Sequence, residues 1–160
     1  MTEPGSADSE VSARRGVPRR SSLSAHRRLT IRGMTKPNNE PDCDFIERFV
    51  ELWNEPDDET RRRTVEALFA PDGSNYAASL EATGHDEIEA RVKRSYDKWV
   101  RDGGHRFRPA GTAVEAHHGA VRVGWEMVNV TSGEVASLGA EFLLLDDDGR
   151  IVSDHQFIAA

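Results

Sequence analysis

A single cysteine, Cys43, stands in a chain of 160 residues. No internal disulfide can form, no second thiol is present for a structural zinc site, and a reducing compartment, the cytoplasm, is the expected location. Long apolar runs are also missing: none approaches the ~20 residues that a membrane-spanning helix needs, so a soluble protein without a membrane partner is expected. The sequence holds no glycine-rich phosphate loop, no His-Glu-x-x-His pair and no Gly-x-Ser-x-Gly elbow. That removes the usual routes to a nucleotide cofactor, a zinc peptidase or a serine hydrolase, and the expectation is chemistry with no cofactor. Six histidines are dispersed apart from His117-His118, which as strand neighbours would face opposite ways, so no metal site is expected. The run Asp146-Asp147-Asp148-Gly149 lacks the further ligands and closing glutamate of a calcium loop and reads as a hairpin turn.

The net charge of −7 is unevenly placed. Residues 1–41 carry eight Lys/Arg against four Asp/Glu, a net of +4, whereas residues 42–160 carry 13 against 24, a net of −11. An acidic body with no basic stripe argues against binding to nucleic acid. The basic stretch is rich in Ser, Arg, Pro and Gly and shows neither helical nor strand periodicity, so residues 1–41 are expected to be a disordered tail. Met34, followed by the polar lead-in Thr-Lys-Pro-Asn-Asn, is an alternative start of translation. The folded domain is expected over 42–160.

From Asp42 onward the texture changes. Phe45, Ile46, Phe49, Val50, Leu52 and Trp53 recur at helical spacing behind the capping residues Asp42 and Asp44, which predicts a helix over 44–54. Pro56 and Asp57-Asp58 open a second helix with Val65, Leu68 and Phe69 on its apolar side and Pro71 as its stop. A third begins after Gly84, with Ile88, Val92, Tyr96, Trp99 and Val100 on one face and Gly103-Gly104 at its end. Beyond it the period becomes two. Strands are predicted near 106–117, 120–131, 134–146 and 150–159, with turns at His118-Gly119, Ser132-Gly133 and Asp148-Gly149. Helices segregated before an antiparallel meander indicate an α+β fold.

Polar residues sit on strands that otherwise look like core. On one predicted strand Val123, Trp125, Met127 and Asn129 share the inward face; on the next, Glu141 alternates in phase with Leu143 and Leu145. A carboxylate among apolar side chains has its charged form destabilised, which raises its pKa toward the range useful for proton transfer; the alternative is that Glu141 lies on a solvated face. The final strand, Ile-Val-Ser-Asp-His-Gln-Phe-Ile (151–158), is mixed on both faces. Periodicity alone leaves Asp154 and His155 as equal candidates for the interior, because a slip of one residue exchanges the faces.

The order of elements, with Phe-Val-Glu-Leu-Trp-Asn (49–54), Leu-Phe-Ala-Pro-Asp (68–72), Gly-His-Asp-Glu-Ile (84–88) and Asp-Gly-Arg-Ile (148–151), resembles the nuclear transport factor 2-like superfamily and its SnoaL-like members, polyketide cyclases and ketosteroid isomerases among them. The resemblance covers 42–160. It implies a cone in which a curved antiparallel sheet wraps three N-terminal helices around an elongated pocket, that is, an α+β barrel. Carried over residue by residue, the acid that donates to an oxyanion in the ketosteroid isomerases falls on Glu141, the tyrosine on helix one falls on Phe49, and the proton-moving aspartate falls near Ala77. Two of the three groups are therefore absent. The resemblance also turns Val152, Asp154, Gln156 and Ile158 toward the pocket, with Ile151, Ser153, His155 and Phe157 on the other face. As in the polyketide cyclases, a carboxylate from the last strands, here Asp154, would be acid and base. Glu141 would be its partner, with Phe49, Trp53, Tyr76 and Trp125 as apolar walls and Asn129 and Gln156 as orienting donors. Three functions remain open: a cyclase or isomerase acting on a small hydrophobic molecule, a non-catalytic ligand-binding or dimerisation module, and an adaptor using its outer sheet face. A homodimer through the sheet, covering Phe142, Leu144 and Phe157, is a further implication of the resemblance.

Overall fold

Asp57 has extended backbone, and its side chain accepts from the Thr60 amide at 2.8 Å, a cap that starts the second helix where the sequence places it. The elements of the computed structural model follow in order: α1 (Cys43–Leu52), α2 (Asp58–Leu68), β1 (Phe69–Ala77), β2 (Leu80–Thr83), α3 (Gly84–Ser95), a π-helical turn (Tyr96–Arg101), β3 (His105–Pro109), β4 (Glu115–His117), β5 (Ala120–Asn129), β6 (Val135–Leu145) and β7 (Ile151–Ile158). The structure describes residues 43–111 and 115–159. The expected disordered tail over 1–41 and the alternative start at Met34 lie outside the described residues.

Three helices on one mixed sheet of seven strands give the expected cone-shaped α+β fold, but the sheet is neither closed nor purely antiparallel. Its order is β2-β1-β7-β6-β5-β3, with β4 also pairing β5. The β1–β2 hairpin between α2 and α3 is absent from the periodicity reading, and β1 runs parallel to β7. Phe69, expected on the apolar side of α2, is already extended (φ −102, ψ 145) and pairs with Ile151. The reason lies in Pro71-Asp72-Gly73-Ser74-Asn75, which has turn composition yet forms the bulged start of β1. A Cβ on Gly73 would sit 2.6 Å from the Ile151 carbonyl oxygen, so only glycine lets β1 come this close to β7.

The helices fill the concave face. Phe45, Ile46, Phe49, Val50, Leu52 and Trp53 of α1 and the residue after it pack with Val65 and Leu68 of α2 and with Ile88 and Val92 of α3. Asn54, just past α1, behaves as a surrogate strand residue: its Nδ2 donates to the Phe107 carbonyl and its Oδ1 accepts from the Phe107 amide, both at 2.8 Å. That bond pair pins α1 to β3. Arg61, fully buried, donates to Glu89 (2.9 Å), to the Glu55 carbonyl (2.8 Å) and to Asp58, so its charge is matched where α2 meets α3. The π-helical turn shifts the register of the helix after Ser95. Trp99, expected on the inward face with Ile88 and Val92, is turned out and covered by Lys98 instead.

Candidate functional site

Strand alternation on β5 and β6 places the predicted side chains inward: Val123, Trp125, Met127, Glu141 and Leu143 are all buried. Glu141 is 1 % exposed, so the alternative of a solvated face is excluded. On β7 the expected face holds for Asp154, which is fully buried, and for Gln156, which is half-buried. It fails at the start of the strand. The β6–β7 register slips between Leu144 and Leu145, so Val152 is left unpaired and turned outward while Ile151 is fully buried, the reverse of the expected arrangement.

Leu143 opposes Asp154 and Glu141 opposes Gln156, so the two carboxyl groups are diagonal neighbours on one face of adjacent strands. Around them the bonds are directional. Asn75, opposite Asp154 across the parallel pair, donates Nδ2 to Asp154 Oδ2 at 2.5 Å. Trp125 Nε1 and Gln156 Nε2 both donate to Glu141 Oε1, at 3.0 and 2.7 Å. Arg91 of α3 donates Nη2 to Gln156 Oε1 at 2.9 Å, and its guanidinium lies 4.9 Å from the centre of the Trp53 ring. Each carboxyl keeps one oxygen, Glu141 Oε2 and Asp154 Oδ1, with no N–H partner. A proton on either group would give it a hydrogen to donate.

Electrostatics agree with that proton. Burial first, then the neighbouring Asp154 charge, push Glu141 well above the ordinary carboxyl range. Asp154 is raised by burial as well, opposed by the hydrogen bonds from Glu141 and Asn75 and by the Arg91 charge. Burial pulls Arg91 down and the two carboxyl groups hold it up, and a guanidinium remains protonated throughout. With one of the two acids protonated, the cluster of one cation, one carboxylate and one neutral acid would carry no net charge. A second ionised carboxylate in this apolar setting would cost several kcal/mol.

The remaining predicted residues divide into three groups. Phe49, Trp53 and Trp125 join Glu141 and Gln156 around a cavity of about 20 Å³, room for one water and far short of the elongated pocket that the resemblance implies. Val123 and Met127 are core residues behind it. Tyr76 and Ile158 lie instead on a separate open groove. Asn129, expected as an orienting donor, uses its Oδ1 to accept from the amides of Thr131 and Ser132 and so closes the β5–β6 turn. Among the described residues no cluster of His, Cys, Asp and Glu has the arrangement of a metal site, and no helix is long and apolar enough to cross a membrane.

Sequence reading missed Asn75, Arg91 and Gly139. Arg91 carried a signal, since it falls three residues after Ile88 on the helical stripe that faces the sheet. Asn75 was hidden in turn-like composition. Gly139 faces Trp125 in the ladder, and a Cβ there would lie 2.2 Å from the Trp125 ring, so the glycine is what lets the indole lie across β6 and reach Glu141.

These features define a cone-shaped α+β protein with a buried pair of neighbouring acids. Residues 46–154 match the SnoaL-like domain family, and the chain belongs to it. Solved structures place it among the same folds. A candidate isomerase of the SnoaL-like family from Agrobacterium tumefaciens str. C58 is 24 % identical, with 73 % of this chain and 96 % of that one covered and a TM-score of 0.65. A candidate polyketide cyclase from Sinorhizobium meliloti is 14 % identical over 71 % of this chain and 94 % of its own, at a TM-score of 0.50. A protein of ketosteroid isomerase-like fold from Catenulispora acidiphila, in complex with trimethylamine, is 15 % identical over 73 % and 86 %, at 0.52. No functionally curated protein matches the sequence.

Proposed function

We propose that the protein binds a small hydrophobic molecule and moves a proton on it without a cofactor, as an isomerase or cyclase. Asp154 takes the proton as the base and Glu141, neutral, donates to the oxygen on which charge develops. The observation that carries this reading is the buried pair itself: two carboxyl groups, 0 % and 1 % exposed, whose environments differ enough for one to keep a proton while the other is ionised. Asn75 orients Asp154, Trp125 and Gln156 orient Glu141, and Arg91 supplies the balancing charge. Proton removal next to a carbonyl needs an acid and a base held in place together, and this arrangement provides both.

A panel of cyclic and aromatic ketones in D₂O, followed by loss of the α-proton NMR signal, tests the reading. Exchange should exceed buffer for at least one ketone, and Asp154→Asn should slow it by about 10²-fold or more. Exchange that Asp154→Asn leaves unchanged would sink the assignment of the base. The second reading, a non-catalytic binding module, is favoured by the 20 Å³ cavity, which in this conformation admits no organic substrate. It predicts ligand-induced gains in melting temperature that survive Asp154→Asn. The same proposal includes a homodimer through the outer sheet face, where Leu138, Phe142, Leu144 and Phe157 are exposed.

A further inference from the structure

The stripe that α3 turns toward the sheet runs through Ile88, Arg91 and Val92, all buried, to Ser95, which lines the cavity of about 20 Å³. In a continuous α-helix the next residue on that stripe is Trp99, which follows Val92 by seven residues, about 20° short of two full turns. The π-helical turn over Tyr96–Arg101 holds one residue too many for that register, and the Asp102 amide accordingly donates five residues back, to the Asp97 carbonyl at 3.1 Å. Val100 therefore takes the inward place and packs against the core. Trp99 is left 38 % exposed, with Lys98 Nζ 4.2 Å from the centre of its ring. Burial of the indole in place of the valine would remove more apolar surface from water.

The contacts that hold the π register are local: Val100 on the core, the Lys98 ammonium on the indole, and His105 Nδ1 at 3.3 Å from the Trp99 carbonyl oxygen. The turn closes around a glycine, because a Cβ at Gly103 would lie 2.7 Å from the Trp99 carbonyl oxygen and 3.0 Å from that of Lys98. Gly104 follows at φ +64, and two successive glycines give the backbone the freedom to take up a surplus residue.

We propose that residues 95–104 form a two-register shutter over the cavity. Passing the surplus residue from the π-helical turn into Gly103-Gly104 restores the α-helix, withdraws Val100 and turns Trp99 onto the rim that Ser95 and Phe107 share. The indole is far larger than the space of about 20 Å³, so it covers the cavity instead of filling it. The register with Val100 inward is the open form and the register with Trp99 inward the closed one. The shutter stands on helix geometry and does not depend on what the acid pair does.

The chain has three tryptophans, so fluorotryptophan labelling gives three fluorine NMR signals, assigned by Trp53→Phe, Trp99→Phe and Trp125→Phe. The wild-type Trp99 signal should show the H₂O/D₂O shift of an exposed indole and exchange with a minor signal that lacks it. Gly103→Ala, whose methyl presses on the Trp99 carbonyl of the π register, should raise the minor population several-fold. Val100→Ser, which removes the apolar anchor of that register, should do the same if the alanine variant does not fold. Because Trp53 lines the cavity, its signal should shift in step with that of Trp99. Deletion of Lys98 takes out the surplus residue and leaves Val100 seven places beyond Val92, so Trp99 should give one exposed signal without exchange. Should neither substitution fold, the wild-type exchange and its loss on deletion decide. A Trp99 signal that stays single and exposed in wild type and in every substitution that folds overturns the proposal, as does exchange that survives the deletion. So does a minor signal at the position of the unfolded chain, which means fraying of the helix end, or a Trp99 shift with Trp53 unmoved, which puts the indole away from the cavity.

Discussion

Glu141 and Asp154 are costly residues to bury, and the cost makes a prediction. Because burial raises both groups and the neighbouring Asp154 charge raises Glu141 further, the folded protein holds a proton at pH values where the unfolded chain has released it. Stability from this source is present below the unfolded carboxyl pKa and is lost as pH rises toward the raised folded value, by at most about 1.4 kcal/mol per pH unit for one proton. Glu141→Gln keeps the oxygen that accepts from Trp125 and Gln156 and removes the titration. Its melting temperature relative to wild type should therefore climb over the pH range above the ordinary carboxyl value. A difference that is flat across that range would mean that Glu141 ionises as an ordinary carboxylate. The inward direction of Glu141 was legible from the alternation with Leu143, whereas its depth was not, because burial depends on α1 and α3 covering that face of the sheet.

At the scale of the element, β5 and β6 work as one device through Gly139. Gly139→Ala drives a methyl into the Trp125 ring, and overpacking of this kind costs about 1–3 kcal/mol. The displaced indole gives up its bond to Glu141, so the variant should combine a lower melting temperature with a solvent-shifted Trp125 emission. Unchanged emission would show that Trp125 reaches Glu141 without needing the glycine. The helices were readable because each carries a 3.6-residue apolar stripe, and α2 has in addition the cap formed by Asp57 and Thr60. The β1–β2 hairpin was not, since Pro71, Gly73 and Asn75 read locally as a turn, and only pairing with β7, distant in sequence, makes them a strand. The bulge at Val152 was hidden for the same reason: an extra residue in one strand shows itself only against its partner.

For the molecule as a whole, the outer sheet face is the feature without an intramolecular explanation. Leu138, Phe142, Leu144 and Phe157 are each about half exposed, and the Phe142 and Phe157 rings meet edge to face at 5.6 Å. If this face is the proposed dimer interface, Phe142→Glu with Leu144→Glu should halve the mass seen by sedimentation equilibrium and leave the secondary structure intact. A wild-type mass of one chain would end that proposal. Phe157 also lines the groove that holds Tyr76 and Ile158, so the dimer variants are placed at Phe142 and Leu144, which do not line it.

The sequence by itself determined the α+β class, the three helices, the three long C-terminal strands and the inward placing of Trp125, and left Glu141 between a buried and a solvated face. Each follows from periodicity and capping, which are properties of neighbouring residues. It left Asp154 and His155 as alternatives. Only the tertiary structure decided between them, by the register of β7 against β1 and β6, and it brought Asn75 and Arg91 to the acid pair from elements far away in the chain. It also raised the pair's hold on a proton, because desolvation and the approach of like charges exist only once the helices have closed over the sheet.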